Sequence, residues 1–362
     1  MKADTTAEMA HAVEAAPAAP AARWLPAELT AADSADVQAL FAEVFGAPLP
    51  PALWHWKYGD GRGRAMGTRA AGDGRLLAHY GGTARVLQVA GQHRLHSLQA
   101  GDVMVTESAR GILARRTGPY GTAALGFLQR YVATEDGFAC SFGFPNDRAA
   151  RLSEVLGLYE RTGRVLLLQW PRLPAEGAAE AGHPHAGRWH CAPLDWADGR
   201  TARRLDALWQ RLRCSAEVAD CVLPQRDAAW WRHRFGNHPT VGYRCFWVRT
   251  RWTRRLLGAL ALRPSPDAGQ GWELLDWLAP LADAPAVLMA ARGLCARLGQ
   301  CGMSAWASEP LAQRLLAMPA LADASTQTAC AFGVSVRRRT EPVDPGDRRL
   351  WWWLTGGDTD FR

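Results

Sequence analysis

A faint internal repeat constrains this chain more than any other feature of its sequence. Trp54, Lys57 and Tyr58 in LWHWKYG are matched by Trp231, Arg234 and Phe235 in WWRHRFG. Arg75-Leu76-Leu77 is matched by Arg255-Leu256-Leu257, Asp102 by Asp276, and Ala149, Arg151 and Leu152 by Ala312, Arg314 and Leu315. The offset drifts from 180 residues (Arg75 to Arg255) to 163 (Ala149 to Ala312), so no single alignment joins the halves. Chance among segments rich in Trp, Arg and Leu accounts for any one match. The preserved order across the whole half favours a duplicated unit. A chain of 362 residues has room for two domains of ordinary size.

Local patterning identifies the unit as α/β. Ala31 to Phe45 carries Val37, Leu40, Phe41 and Val44 on one helical face, with Asp33 and Ser34 as capping side chains before it. Gly72-Asp73-Gly74 reads as a hairpin turn leading into a strand over Arg75 to Tyr80. Arg85 to Val89 and Arg94 to Leu98 pair around Ala90-Gly91-Gln92, and Asp102 to Thr106 is a further strand. Gly118-Pro119 opens a helix over Tyr120 to Val132, with Pro in its first turn. Phe138 to Phe144 is a short apolar strand, Asp147 to Leu156 a helix stopped by Gly157, and Arg164 to Trp170 a closing strand. Gly59 to Gly67 (GDGRGRAMG) has the glycines of a phosphate loop but no G-K-[ST], and reads as a surface turn.

Composition bounds the rest. Residues 1–23, rich in Ala and Pro, read as a disordered tail without the basic start and apolar centre of a signal peptide. Residues 24–174 form the first domain, 175–187 a linker of Ala, Gly, Pro and His, and 188–362 the second domain. No apolar run reaches the 18 or so residues needed to span a bilayer, and a cytoplasmic location is expected. The eight cysteines form no C-x-x-C pair, which argues for reduced thiols without zinc. His183, His185 and His190 lack an acidic or Cys partner at helical spacing, so no metal is expected there. The formal charge of +7 suits an anionic ligand, a phosphorylated cofactor or an acyl carrier protein. Apart from Arg337-Arg338-Arg339 the basic residues are scattered, and no nucleic-acid partner is expected.

The stretch Asn146 to Leu158 (NDRAARLSEVLGL) resembles the motif N-x-x-A-x-x-L-Y-x-x-L-G-F of the GNAT acetyltransferases at Asn146, Ala149, Leu152, Leu156 and Gly157, and it follows an apolar strand. Upstream, Gly101 to Thr106 (GDVMVT) stands where that family has its pantetheine strand. Glu107 to Pro119 (ESARGILARRTGP) stands where it has a phosphate turn running into a helix. The resemblance covers roughly residues 24 to 170 and extends weakly beyond. It implies a tandem pair of GNAT-like domains, each a mixed, mostly antiparallel twisted sheet flanked by helices, the second copy degenerate. It also implies acetyl-CoA or another acyl-CoA as donor, a small-molecule amine as acceptor, and no metal.

The resemblance assigns donor contacts to Val103, Met104, Val105, Arg110, Gly111, Arg115, Arg116, Gly118 and Asn146. Helix N-termini suit the pyrophosphate because their first N–H groups lack partners and the dipole favours an anion. Amine acylation needs a base for the ammonium proton and a donor for the thioester carbonyl. Asp102 and Glu107 flank the pantetheine strand and are the first candidates, followed by His79 and Tyr80. Ser153 stands where the family commonly has a tyrosine acting as acid toward the thiolate, which leaves Tyr159 as the candidate acid. Arg362 is a further candidate through its carboxylate. The second half has Ala279 to Pro285, without basic residues, in place of a phosphate turn. A non-catalytic acyl-CoA sensor, and an aminoacyl-tRNA or carrier-protein-dependent transferase of Fem type, remain alternatives.

Overall fold

The computed structural model describes residues 23–110, 117–132, 134, 137–173, 188–266, 271–299, 302–335 and 343–359. The first half runs β1 (Trp24–Glu28), α1 (Ser34–Phe45), α2 (Pro51–Tyr58), β2 (Gly63–Ala70), β3 (Leu76–Val89), β4 (His93–Val105), α3 (Glu107–Arg110), α4 (Pro119–Tyr131), β5 (Cys140–Gly143), α5 (Asp147–Val155) and β6 (Tyr159–Trp170). The second runs β7 (Trp189–Pro193), α6 (Thr201–Arg213), β8 (Cys221–Pro224), α7 (Ala228–Trp231), β9 (Arg244–Thr250), β10 (Leu256–Pro264), β11 (Trp272–Leu278), α8 (Ala284–Arg297), β12 (Met303–Ser308), α9 (Glu309–Leu316), β13 (Ser325–Ser335) and β14 (Trp351–Trp352). The repeated residues fall on corresponding elements: α2 with α7 and the turn after it, β3 with β10, β4 with β11, α5 with α9.

Several local expectations need correction. Gly63 to Gly67 is not a surface turn but the start of β2, paired with β3 from Gly63↔Thr83 onward. The strands predicted on either side of Gly81-Gly82 are one strand, as are those on either side of Ala100-Gly101. Glycine in a strand often marks a close approach of neighbouring atoms, and at Gly81 a Cβ would sit 2.2 Å from the Tyr58 hydroxyl. Asp33 is the N-cap of α1, as expected, but makes no side-chain cap bond there; it instead closes a capping box with Thr30 over the 3-10 turn Ala31–Asp33. The segment 175–187 lies outside the described residues.

All strands of the described residues join one 14-stranded sheet whose main path runs β1-β2-β3-β4-β5-β13-β6-β12-β11-β10-β9-β7. Its centre is an exchange. β13, from the second half, lies antiparallel between β5 and β6 of the first. β6 in turn pairs with β12. Leu168, Trp170, Val165 and Phe332 from this central pair are buried in the core.

In each half a short parallel ladder then opens. β4 pairs with β5 only over Ser97↔Cys140 to Gln99↔Phe142. β11 pairs with β12 only over Trp272↔Met303 to Leu274↔Ala305. The second opening is filled by the chain itself. Thr355 bridges to Ala307 of β12, and the Ser308 N–H donates to the Leu354 carbonyl at 3.0 Å. Gly357 lies so near β11 that a Cβ would meet the Asp276 side chain at 3.0 Å. Around this segment Arg226 pairs with Asp276 at 3.0 Å and with Asp358, all three fully buried. Asp358 also takes Arg85 of β3 at 2.8 Å, and Arg85 donates to Gln99, the last residue of β4 before the first opening.

Candidate active site

The first opening forms a cleft of about 590 Å³. Ala100 to Val103 of β4 line one side, and Gly143 to Asn146 with Ala149 and Ser153 line the other. Phe41, Phe45 and Leu53 form an apolar end, and His238, Thr240, Val241 and Arg263 reach in from the second half. Beyond Gln99, β4 has no partner strand on this side among the described residues, so its edge N–H and C=O groups face the cleft.

A bulge shapes β4 at this point. His79 pairs with Met104 and Gly81 with Gly101, leaving Asp102 and Val103 opposite Tyr80 alone. Asp102 adopts φ +48, which a non-glycine residue holds only when its surroundings enforce it. Those surroundings are explicit. Lys57 Nζ donates to Oδ1 at 2.8 Å and the Tyr58 hydroxyl to Oδ2 at 2.9 Å. His79 Nδ1 lies 2.6 Å from the Asp102 carbonyl, so the neutral ring carries its proton there. The Lys57 and Asp102 side chains are only 4% and 7% exposed. Burial opposes the Asp102 charge, but the Lys57 ammonium beside it wins and holds the carboxyl below its ordinary range. Burial likewise lowers the His79 pKa and keeps its ring neutral.

The structure brings Asp102, Val103, Asn146 and Tyr159 to one cleft. Asp102 is there as an ionised carboxylate with both oxygens engaged, and Asn146 caps α5 by accepting from Ala149 N–H at 2.9 Å. Met104 points into the core, and Val105 and buried His79 stand outside the lining. Glu107 is exposed on α3, where Arg110 Nε donates to the Val105 carbonyl at 3.1 Å. Gly118 is the N-cap of α4 and makes no side-chain cap bond. Gly111, Arg115, Arg116 and Arg362 lie outside the described residues. Tyr159 donates to the Gly143 carbonyl at 3.0 Å.

One residue escaped the sequence reading. Tyr120, in the first turn of α4, places its hydroxyl 2.6 Å from Ser153 Oγ, and both line the cleft. The signal lay in GPYG, where Pro119 occupies N1 and directs the next side chain from the start of the helix. Burial raises the Tyr120 pKa, although the Ser153 bond offsets part of the effect. Tyr80 and Tyr159 are also raised by burial, so the cleft holds three protonated phenols at neutral pH.

At the other end, burial and then the nearby cations Arg234, Lys57 and Arg263 push His238 down to about 4. His233 also lies near 4, first through burial and then through Arg62, Arg234 and Arg85. Their pKa in the unfolded chain is about 6.5, so the unfolded state binds more protons between pH 6.5 and 4. Stability is therefore present above pH 6.5 and lost on acidification through that window. Tm measured across it should fall, and a flat profile would contradict the neutral assignment of both rings. Among the described residues no group of three or more His, Cys, Asp or Glu is placed to hold a metal ion. No described helix is long and apolar enough to cross a membrane.

This alternating α/β unit with a parallel pair that splays open, present twice and joined by exchanged strands, has the fold of solved GCN5-related N-acetyltransferases. Solved structures agree with it at low sequence identity. A conserved protein of Enterococcus faecalis described as a probable N-acyltransferase superposes with a TM-score of 0.59 at 14% identity, over 86% of this chain and 71% of that one. A GCN5-related N-acetyltransferase from Kribbella flavida gives 0.56 at 16%, over 86% and 70%. The N-myristoyltransferase of Saccharomyces cerevisiae, solved with myristoyl-CoA, gives 0.50 at 11%, over 93% and 90%. No protein-family model matches the sequence, and no curated protein matches it significantly.

Proposed function

We propose that the protein is an N-acyltransferase that moves an acyl group from acyl-CoA to an amine in the β4–β5 cleft. The observation that supports this most directly is the open splay itself, with the Tyr120–Ser153 pair on its wall. The pantetheine arm would pair with the free edge of β4, as any extended amide chain pairs with an unpartnered strand. The pyrophosphate would sit at the N-terminus of α4, whose first N–H groups have no side-chain cap. The amine enters from the end lined by Phe41, Phe45 and Leu53.

In this reading the amine attacks the thioester carbonyl, the C–N bond forms and the C–S bond breaks. The departing thiolate takes its proton from Tyr120, the phenol beside Ser153, and the proton shed by the nitrogen passes through water to the phenolate, which restores the phenol. Asp102 is not the base in this scheme, because Lys57 and Tyr58 occupy both of its oxygens. It is a positioning residue that holds the bulge of β4 in place. In this reading residues 24–174 supply the donor site and 188–362 part of the acceptor wall.

The test is release of free thiol from acetyl-CoA and longer acyl-CoAs with a panel of amines. Binding is followed alongside by calorimetry. Because residues 354–358 fill the second opening, one acyl-CoA per chain is expected. A stoichiometry of two would contradict that, and no binding of any acyl-CoA would sink the assignment.

A further inference from the structure

Helix α5 has two opposed faces. Ala149 and Ser153 line the cleft, and Ala150 and Leu156 pack inward. Arg148, Arg151, Leu152 and Val155 recur at spacings of three and four residues and are all exposed, Val155 at 84%. The acids of the helix do not offset this face, since Arg161 takes both Asp147, at 3.4 Å, and Glu154, at 3.3 Å. Among the described residues Arg148, Arg151 and Arg110 have no carboxylate partner. Large apolar side chains are seldom exposed together, and two guanidinium groups beside them mark a surface that meets an acidic partner.

We propose that the exposed face of α5 docks an acidic acyl carrier protein, whose phosphopantetheine arm enters the β4–β5 cleft from there. The inference rests on the acyl-transfer reading of that cleft. A free nucleotide carrier needs no apolar helix face at the mouth. A protein that tethers the same thioester must sit where the arm enters, and α5 is the helix that joins the cleft wall to the outer surface. Leu152 and Val155 would be covered by the partner, while Arg148 and Arg151 would meet carboxylates and steer association.

The test uses the full-length protein with an octanoyl group on CoA and the same group on a fatty-acid-type acyl carrier protein. At low salt, kcat/KM for the carrier-borne donor should exceed that for the CoA ester by about tenfold or more. High salt should narrow the gap by screening exposed charges. Arg148→Glu/Arg151→Glu should lower carrier-dependent turnover by about tenfold and leave the CoA reaction within about twofold. Leu152→Ala/Val155→Ala should do the same without a change of charge. Equal loss with both donors, no loss with either, or carrier turnover at or below that of CoA would overturn the docking surface. Binding of RNA that the arginine changes abolish, with no carrier effect, would reassign the face to nucleic acid. Failure of both donors, with no acyl-CoA binding by calorimetry, would instead remove the acyl-transfer reading.

Discussion

Tyr120→Phe is expected to lower kcat by about 10²-fold or more, the range that loss of a positioned acid produces. Acyl-CoA affinity should change little, because the ring stays and only the hydroxyl goes. The wild-type alkaline limb should lie above the phenol's ordinary value of 10.0, since burial raises it, and should vanish in the variant. Ser153→Ala removes the partner but not the acid, so a loss of several-fold is expected from a less well oriented phenol. Full activity in Tyr120→Phe would move the acid to Tyr80 or Tyr159, both of which also face the cleft.

Asp102→Ala should be the most damaging single change to stability near the site. It takes from the buried Lys57 ammonium the carboxylate 2.8 Å away and from the Tyr58 hydroxyl an acceptor at 2.9 Å. Breaking a buried pair from one side costs about 3–5 kcal/mol, because an uncompensated charge stays inside. The pair as a whole contributes far less. Lys57→Met/Asp102→Leu should therefore be more stable than Asp102→Ala, which denaturant titration of both variants would show. If the single variant unfolds at the wild-type midpoint, the ammonium has another refuge and the bulge another support.

The repeat was legible because the matched residues do the same structural work twice. Lys57 and Arg234 follow tryptophans that pack against the sheet, and Asp102 and Asp276 lie beside a bulge on corresponding strands. The α5 motif was legible because Asn146 caps the helix and Gly157 ends it with φ +66, both local requirements. The continuous β3 was not, because Gly81-Gly82 breaks the pattern of side chains without breaking the ladder. Tyr120 was hidden for another reason. Its role depends on the distance between two helices 33 positions apart, which no spacing rule carries. The exchange of β6 and β13 was hidden in the same way, since strand partners are chosen by the whole sheet.

That exchange bears on how such a chain changes over time. The second half has its opening closed by residues 354–358, so it offers no cleft of its own there. Yet Val334 pairs with Phe142 and Ser335 with Tyr159, so the first half's sheet is complete only with a strand made far downstream. A deletion that removed the second half would take that strand with it and leave β5 and β6 with a gap between them. The second half is thus tied to the first by a strand that the first half's sheet needs, whatever its own opening holds.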